Sequence, residues 1–363
     1  MRLFRRLGFV YTTVLIPSLV LANITPPPPP PNIIGLKSDG KVLTGDSDLN
    51  IHGEFYVNYE KSVRSVNLYN GGYIVTNSLL NGKPHTLTVG DGGITAYIDE
   101  SPVGIGGSGA LTSSTRFLDI SVRSKLGASN YIEINTEISD NPTNRVNLRM
   151  LRYAGMGQGI ISLGGDKNNT FTGSTEIYGI NNRIILNKEK GAIAIRGDIF
   201  INDSARLTIR RDNQISSGSI VSLKNATFEF EDNYLDGKFT KRESFNRLVI
   251  EGTSFIQFSH QGLSDSRFLY LEDLYIADGG KLTIQGWREG CHFLLVRKTS
   301  RNLDDVLKKI EFEGYFQGRT HKEDYNRDYW SISGMPEPST YGALFGALGF
   351  GLVVWRKRNY YRS

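Results

Sequence analysis

The chain has one cysteine, Cys291, so no disulfide can form within it and its stability must come from packing. Between Gly290 and His292, and just before Phe293, Leu294, Leu295 and Val296, that thiol reads as a small buried hydrophobe. Apolar residues at helical spacing are scarce in residues 32–333. Histidine is scarce too. His52, His85, His260, His292 and His321 are scattered, none has a neighbour at metal-ligand spacing, and no Ser, His and Asp arrangement can be assembled. The reading is no metal, no cofactor and no nucleophilic triad. Between the two ends a positive surplus is also missing, despite a net charge of +5 and a pI near 9.0 for the whole sequence. Seven of the 42 Lys and Arg residues lie in residues 1–22 and 341–363, where there are no acids, which leaves 35 bases against 37 acids elsewhere. That balance argues against nucleic-acid binding by phosphate neutralisation.

What is abundant is strand and turn. Alternating or β-rich runs occur at residues 55–59, 115–122, 131–135, 159–163, 191–195, 248–250 and 254–258. Forty glycines punctuate them, many in pairs such as Gly71-Gly72 and Gly164-Gly165, as tight turns require. The fold class is all-β. An internal repeat narrows it further. Residues 198–209 match residues 273–284 at a shift of 75, with six identities. Each copy has a hydrophobic triplet, an Asp-initiated turn, a cation and Leu-Thr-Ile, with weaker echoes at residues 219–230 and 247–258. A unit this small cannot bury its apolar face alone, whereas stacked coils can. At roughly 20 to 25 residues per coil, a spacing of 75 corresponds to three or four coils of a right-handed parallel β-helix. A β-sandwich is the competing architecture.

The two ends read as targeting segments. Arg2, Arg5 and Arg6 precede an apolar run over residues 7–21, with Val20 and Ala22 placed for cleavage after Ala22, the pattern of a secretory signal peptide. Six prolines at 26–31 form a stiff polyproline II spacer. At the other end, Pro336, Glu337 and Pro338 lead into an uncharged stretch from Tyr341 to Trp355, closed by Arg356, Lys357 and Arg358. Apolar side chains favour the bilayer while clustered basic residues resist translocation. This tail resembles the PEP-CTERM sorting signal of bacterial surface proteins. The resemblance implies handling by a membrane-embedded, exosortase-type enzyme after signal peptidase has acted. At 15 residues the apolar stretch is about 22 Å long as a helix, short for a hydrocarbon core of about 30 Å, which suits a transient sorting segment.

Residues 159–173 carry a second likeness. A Gly-led strand, Gly164-Gly165, then Asn169-Thr170-Phe171-Thr172-Gly173 resembles the autotransporter-associated β-strand repeat, with Phe171 at its aromatic position. The resemblance implies a β-helical, passenger-like surface region. No translocator barrel is legible from residue 303 onward. The expected organisation is a signal peptide at 1–22, a Pro-rich linker at 23–35, a solenoid body at 36–301, a C-terminal cap and linker at 302–333 and a sorting tail at 334–363. In the cap, Asn302 is expected to start a short helix with acids in its first turn and lysines in its last. Residues 310–316 follow as a strand, and residues 321–330 read as a linker.

Candidate chemistry is thin. Asp203, Glu272, Asp273 and Asp278 invite comparison with the clustered carboxylates of β-helix polysaccharide lyases and hydrolases. An Asp that starts a turn by bonding its own backbone explains Asp203 and Asp278 better. Arg196-Gly197-Asp198 spells an adhesion tripeptide in an expected turn, and residues 104–109 read as a flexible glycine loop without the Lys-Ser/Thr of a phosphate cradle. Leu163 to Asp166 falls short of a tandem calcium repeat. The function expected is an exported, non-catalytic structural or adhesive protein, membrane-tethered or on the surface of a Gram-negative-type bacterium, in contact with extracellular polysaccharide or neighbouring cells. The alternatives are a carbohydrate-active β-helix enzyme, which needs two carboxylates converging in a groove, and a β-sandwich carbohydrate-binding module, which needs a flat stripe of exposed aromatics.

Overall fold

The computed structural model describes residues 46–78, 81–124, 131–151, 158–231, 240–259, 266–315 and 320–335, all within the second of two units, Ile34–Ser363. Val20, Ala22, Pro336, Glu337, Pro338, Tyr341, Trp355, Arg356, Lys357 and Arg358 lie outside the described residues.

Side-chain alternation within each short strand sets the architecture. Every second residue is apolar and buried, and each coil lays that residue on its counterpart in the coil before. Leu49, Val66, Ile94, Ile120, Met150, Ile177, Ile201, Leu223, Ile250 and Ile276 form one unbroken column of register partners. All ten are buried, each contributing about 2 kcal/mol of transfer free energy. A second column runs through Phe55, Ile74, Ile105, Ile134, Leu163, Leu186, Ile209, Phe230 and Phe258. The columns face each other from a 15-stranded and an 11-stranded sheet, whose neighbours pair in parallel apart from the last hairpin. This is a parallel β-solenoid of about nine turns. Parallel pairing throughout the coils rules out the antiparallel sandwich.

The repeat is three coils. Ile201 reaches Ile276 through Leu223 and Ile250, and the echoes at 219–230 and 247–258 are the two coils between. In the second sheet Leu207 is in register with Ile284 through Phe228 and Ile256, although the repeat aligns Ile284 with Ile209. The slip is two residues, so every side chain keeps its face.

On the third side of the coil the main-chain ladder is interrupted, and buried polar side chains bridge the coils. Asn169 Oδ1 accepts the Ile138 N–H at 3.0 Å and its Nδ2 donates to the Ala194 carbonyl at 2.8 Å, tying three coils together. Gln214 Oε1 accepts the Lys188 N–H at 2.7 Å, and the Glu243 carboxyl accepts the Gln214 and Ile215 N–H groups at 2.8 and 3.1 Å. These bonds explain why residues 191–195 form a turn rather than the expected strand. The Ile193 N–H goes to Asn168 Oδ1, and only Ile195 bridges a neighbour, Ile215. They also give the 159–173 pattern a physical basis. Phe171 fills the interior, Asn169 bridges, and a Cβ on Gly173 would collide with the Val146 carbonyl.

Four further expectations are corrected. Residues 104–109 begin as the strand Val103–Gly106, buried between two coils, where glycine is required because the Tyr73 ring lies over Gly104 and Gly106. The helix Leu303–Leu307 carries Asp304 and Asp305 in its first turn, but Asn302 sits at φ 55° without a side-chain cap and no cation falls in the last turn. The Asn302 carbonyl instead accepts the N–H groups of Asp305 and Val306. Residues 321–330 are not a linker. The strands Thr320–Asp324 and Tyr329–Gly334 form a hairpin that pairs antiparallel with His292–Arg297, and the charged edge strand ends the larger sheet. Cys291 is only partly buried, because it closes a turn in which its N–H donates to the Arg288 carbonyl.

Candidate ligand-binding surface

Longer strands turn a corner of the coil, and the corner brings chemistry outside. Along Ser266–Ile276 burial alternates until Glu272 and Asp273, neither of which is buried, and then resumes. Asn246 and Arg247 mark the same corner one coil earlier. Consecutive residues normally point to opposite faces, so two consecutive solvent-facing positions record the bend. Glu272 and Asp273 therefore border two different clefts.

On the larger sheet, Phe200, Ser222, Val249 and Tyr275 are successive register partners on the outward face. Phe200 is 39% and Tyr275 52% exposed, and neither ring stacks on another among the described residues. At 4.7–4.9 Å per coil, three steps separate the two rings by about 14 Å along the solenoid. They occupy equivalent places in the sequence repeat, the middle of each hydrophobic triplet, whose two flanking members face inward. Beside Tyr275 lies a cleft of about 390 Å³ lined by Arg247, Asp273, Arg301, Asp305 and Lys309. Arg247 pairs with Asp273 at 2.8 Å, Ser300 Oγ donates to Asp273 Oδ1 at 2.7 Å, and Lys309 Nζ donates to Asp278 and to the Ile276 and Ala277 carbonyls.

Around the corner, Arg242, Phe268 and Phe293 are register partners. The two rings lie parallel with centroids 4.6 Å apart, and the Arg242 guanidinium sits 5.4 Å from the Phe268 centroid. Tyr270 and Tyr329 meet edge to face at 5.5 Å and 83°, forming two walls of a second cleft of about 390 Å³. Its floor is ordered by an ionic pair. Arg297 donates to Glu272 Oε2 at 2.6 Å, and the Tyr329 hydroxyl donates to Glu272 Oε1 at 2.9 Å. Burial, followed by the Glu272 hydrogen bond, raises the Tyr329 phenol above its ordinary pKa, so it is a donor at neutral pH. Burial likewise raises Tyr270.

The carboxylates singled out from sequence do not converge as a free set. Glu272 is held by Arg297 and Tyr329, and Asp273 by Arg247 and Ser300. Asp203 and Asp278 lie in turns, closed by Ala205 N–H to Asn202 and by Gly280 N–H to Ala277. The first turn places Asp203 and Ser204 at φ 56° and 66°, whereas the second uses Gly279 at 75°. Asp203 thus serves by tolerating a left-handed backbone rather than by bonding its own main chain. Asp198 of the adhesion tripeptide accepts the Ile220 N–H at 2.9 Å. Among the described residues no three His, Cys, Asp or Glu are grouped to hold a metal. Sequence reasoning missed the aromatic and arginine column. Its signal was the alternation of Phe268, Tyr270 and Glu272, but the partners Arg242, Phe293 and Tyr329 come from other coils. Comparison with protein-family models, curated proteins and solved structures returns no match.

Proposed function

We propose that the protein is an exported, surface-associated structural or adhesive β-solenoid that holds extracellular polysaccharide on its outer face and has no catalytic role. The observation that carries this reading is the row Phe200, Ser222, Val249 and Tyr275. Two unstacked aromatic faces on a rigid parallel sheet suit the apolar faces of sugar rings, and the hydroxyl between them suits their edges. The engagement of Glu272 and Asp273 in ion pairs supports a binding rather than a hydrolytic use. Export and sorting rest on Val20 and Ala22, on Pro336, Glu337 and Pro338, and on the basic stop Arg356, Lys357 and Arg358, with signal peptidase and an exosortase-type enzyme as processing partners.

Two measurements test it. In affinity gels containing bacterial exopolysaccharide, the Phe200→Ala, Tyr275→Ala double variant should migrate as though affinity had fallen about tenfold, the loss expected when two aromatic anchors are removed. Unchanged retardation, or none with the wild type, overturns the polysaccharide role. Intact mass and terminal sequencing of cell fractions should find residues 1–22 and everything beyond about Pro338 removed from surface protein. An intact basic terminus in the inner membrane sinks the sorting reading.

A further inference from the structure

The cleft bordered by Tyr270 and Tyr329 differs from the Phe200–Tyr275 row in charge. Arg242 is exposed, and among the described residues no carboxylate pairs with its guanidinium, whose only partner is the Phe268 ring. Its neighbours are already committed. Asp212 Oδ1 accepts the Arg242 backbone N–H at 3.0 Å, Glu272 is held by Arg297 and Tyr329, and Glu243 is wholly buried on main-chain donors. The cleft also continues. At Asn213 it meets a second cleft of about 440 Å³ whose lining includes Lys188, Lys190, Arg211 and Lys241. Together the two carry five cations against Asp212, Glu243 and Glu272. Lys190 pairs with Asp166 and Arg211 with Glu189, so the unbalanced charge at the aromatic end is that of Arg242.

We infer that this groove takes an acidic glycan, with a uronate-type carboxylate on the Arg242 guanidinium and the sugar ring lying against the corner formed by Tyr270 and Tyr329. A planar guanidinium offers a carboxylate two parallel donors, a geometry that a lysine cannot reproduce. The Phe268 ring, 5.4 Å from the guanidinium, shields one side of that pair from water and strengthens it. The inference rests on the polysaccharide reading above and adds charge selectivity to it.

The test compares the full-length chain on immobilised polygalacturonate and on the same polymer methyl-esterified, so that only charge differs. The wild type should bind the free acid about tenfold more tightly, the scale of one hydrogen-bonded charge pair. Arg242→Gln should erase that ratio, Arg242→Lys should keep part of it, and the Phe200→Ala, Tyr275→Ala variant should weaken both polymers while preserving it. Circular dichroism melts establish that each variant is folded. Binding that ignores esterification, or a ratio that survives Arg242→Gln, overturns the acidic-glycan assignment and leaves the polysaccharide role standing. Binding to neither polymer, together with none to exopolysaccharide, overturns both.

Discussion

Glu243→Gln isolates a pH dependence built into the interior. The Glu243 carboxyl is fully buried and accepts N–H groups from Gln214, Ile215 and Ser244 at 2.8, 3.1 and 3.3 Å. Burial is the dominant influence and raises its pKa from 4.5 to about 8, partly opposed by those three donors. A raised folded pKa means that the stabilisation is fully present below the unfolded value near 4.5 and is lost as pH rises through about 8. At about 1.4 kcal/mol per pH unit, that window amounts to at most about 5 kcal/mol. Lys188 works in the opposite direction and in another range. Burial lowers its pKa from 10.5 to about 8, so its contribution is present above 10.5 and lost as pH falls through about 8, leaving the acid side of the window to Glu243. The assay is urea unfolding followed by far-ultraviolet circular dichroism at about pH 5 and about pH 8.5. The wild type should lose several kcal/mol between the two. Glu243→Gln should cost about 1 kcal/mol at the lower pH, because its amide cannot accept every main-chain bond, and should remove most of the difference. A variant that keeps the wild-type slope refutes the assignment of that slope to Glu243.

Three further substitutions probe the stacking of the coils. Asn169→Ala strands the Ile138 N–H and the Ala194 carbonyl in the interior and should cost about 3 kcal/mol in denaturant unfolding, with faster amide exchange at Ile138. Phe171→Ala removes a fully buried ring and should cost about 3–5 kcal/mol by the same measure. Gly106→Ala drives a Cβ into the Tyr73 hydroxyl and should cost about 1–3 kcal/mol. Most of that cost should vanish in a Tyr73→Ala background, a coupling that additive behaviour in the double-mutant cycle would refute.

Period-two alternation is a local property, and so the sequence alone determined the all-β class, the short strands and the inward columns of Ile and Leu. The 75-residue repeat determined the stacking, and the structure resolves it as three coils. Tolerance of positive φ at Asp203, Asn213 and Asn225, together with the glycines, determined where corners could form. The outer surface was a different matter. A strand bend that leaves Glu272 and Asp273 both facing solvent depends on packing against adjacent coils, and no local alternation encodes it. Residues 191–195 read as a strand because their own pattern fits one. The Asn168 and Asn169 side chains and the Gln214 main-chain carbonyl took the bonds a neighbouring strand would have made. The Arg242, Phe268 and Phe293 column, and the Tyr270 and Tyr329 walls beside it, join register and ring partners 25 to 59 residues apart in sequence. Which outward residues become neighbours is decided by coil length and register. Those are set when the whole core closes, and only the tertiary structure could bring these aromatics and this arginine to one groove.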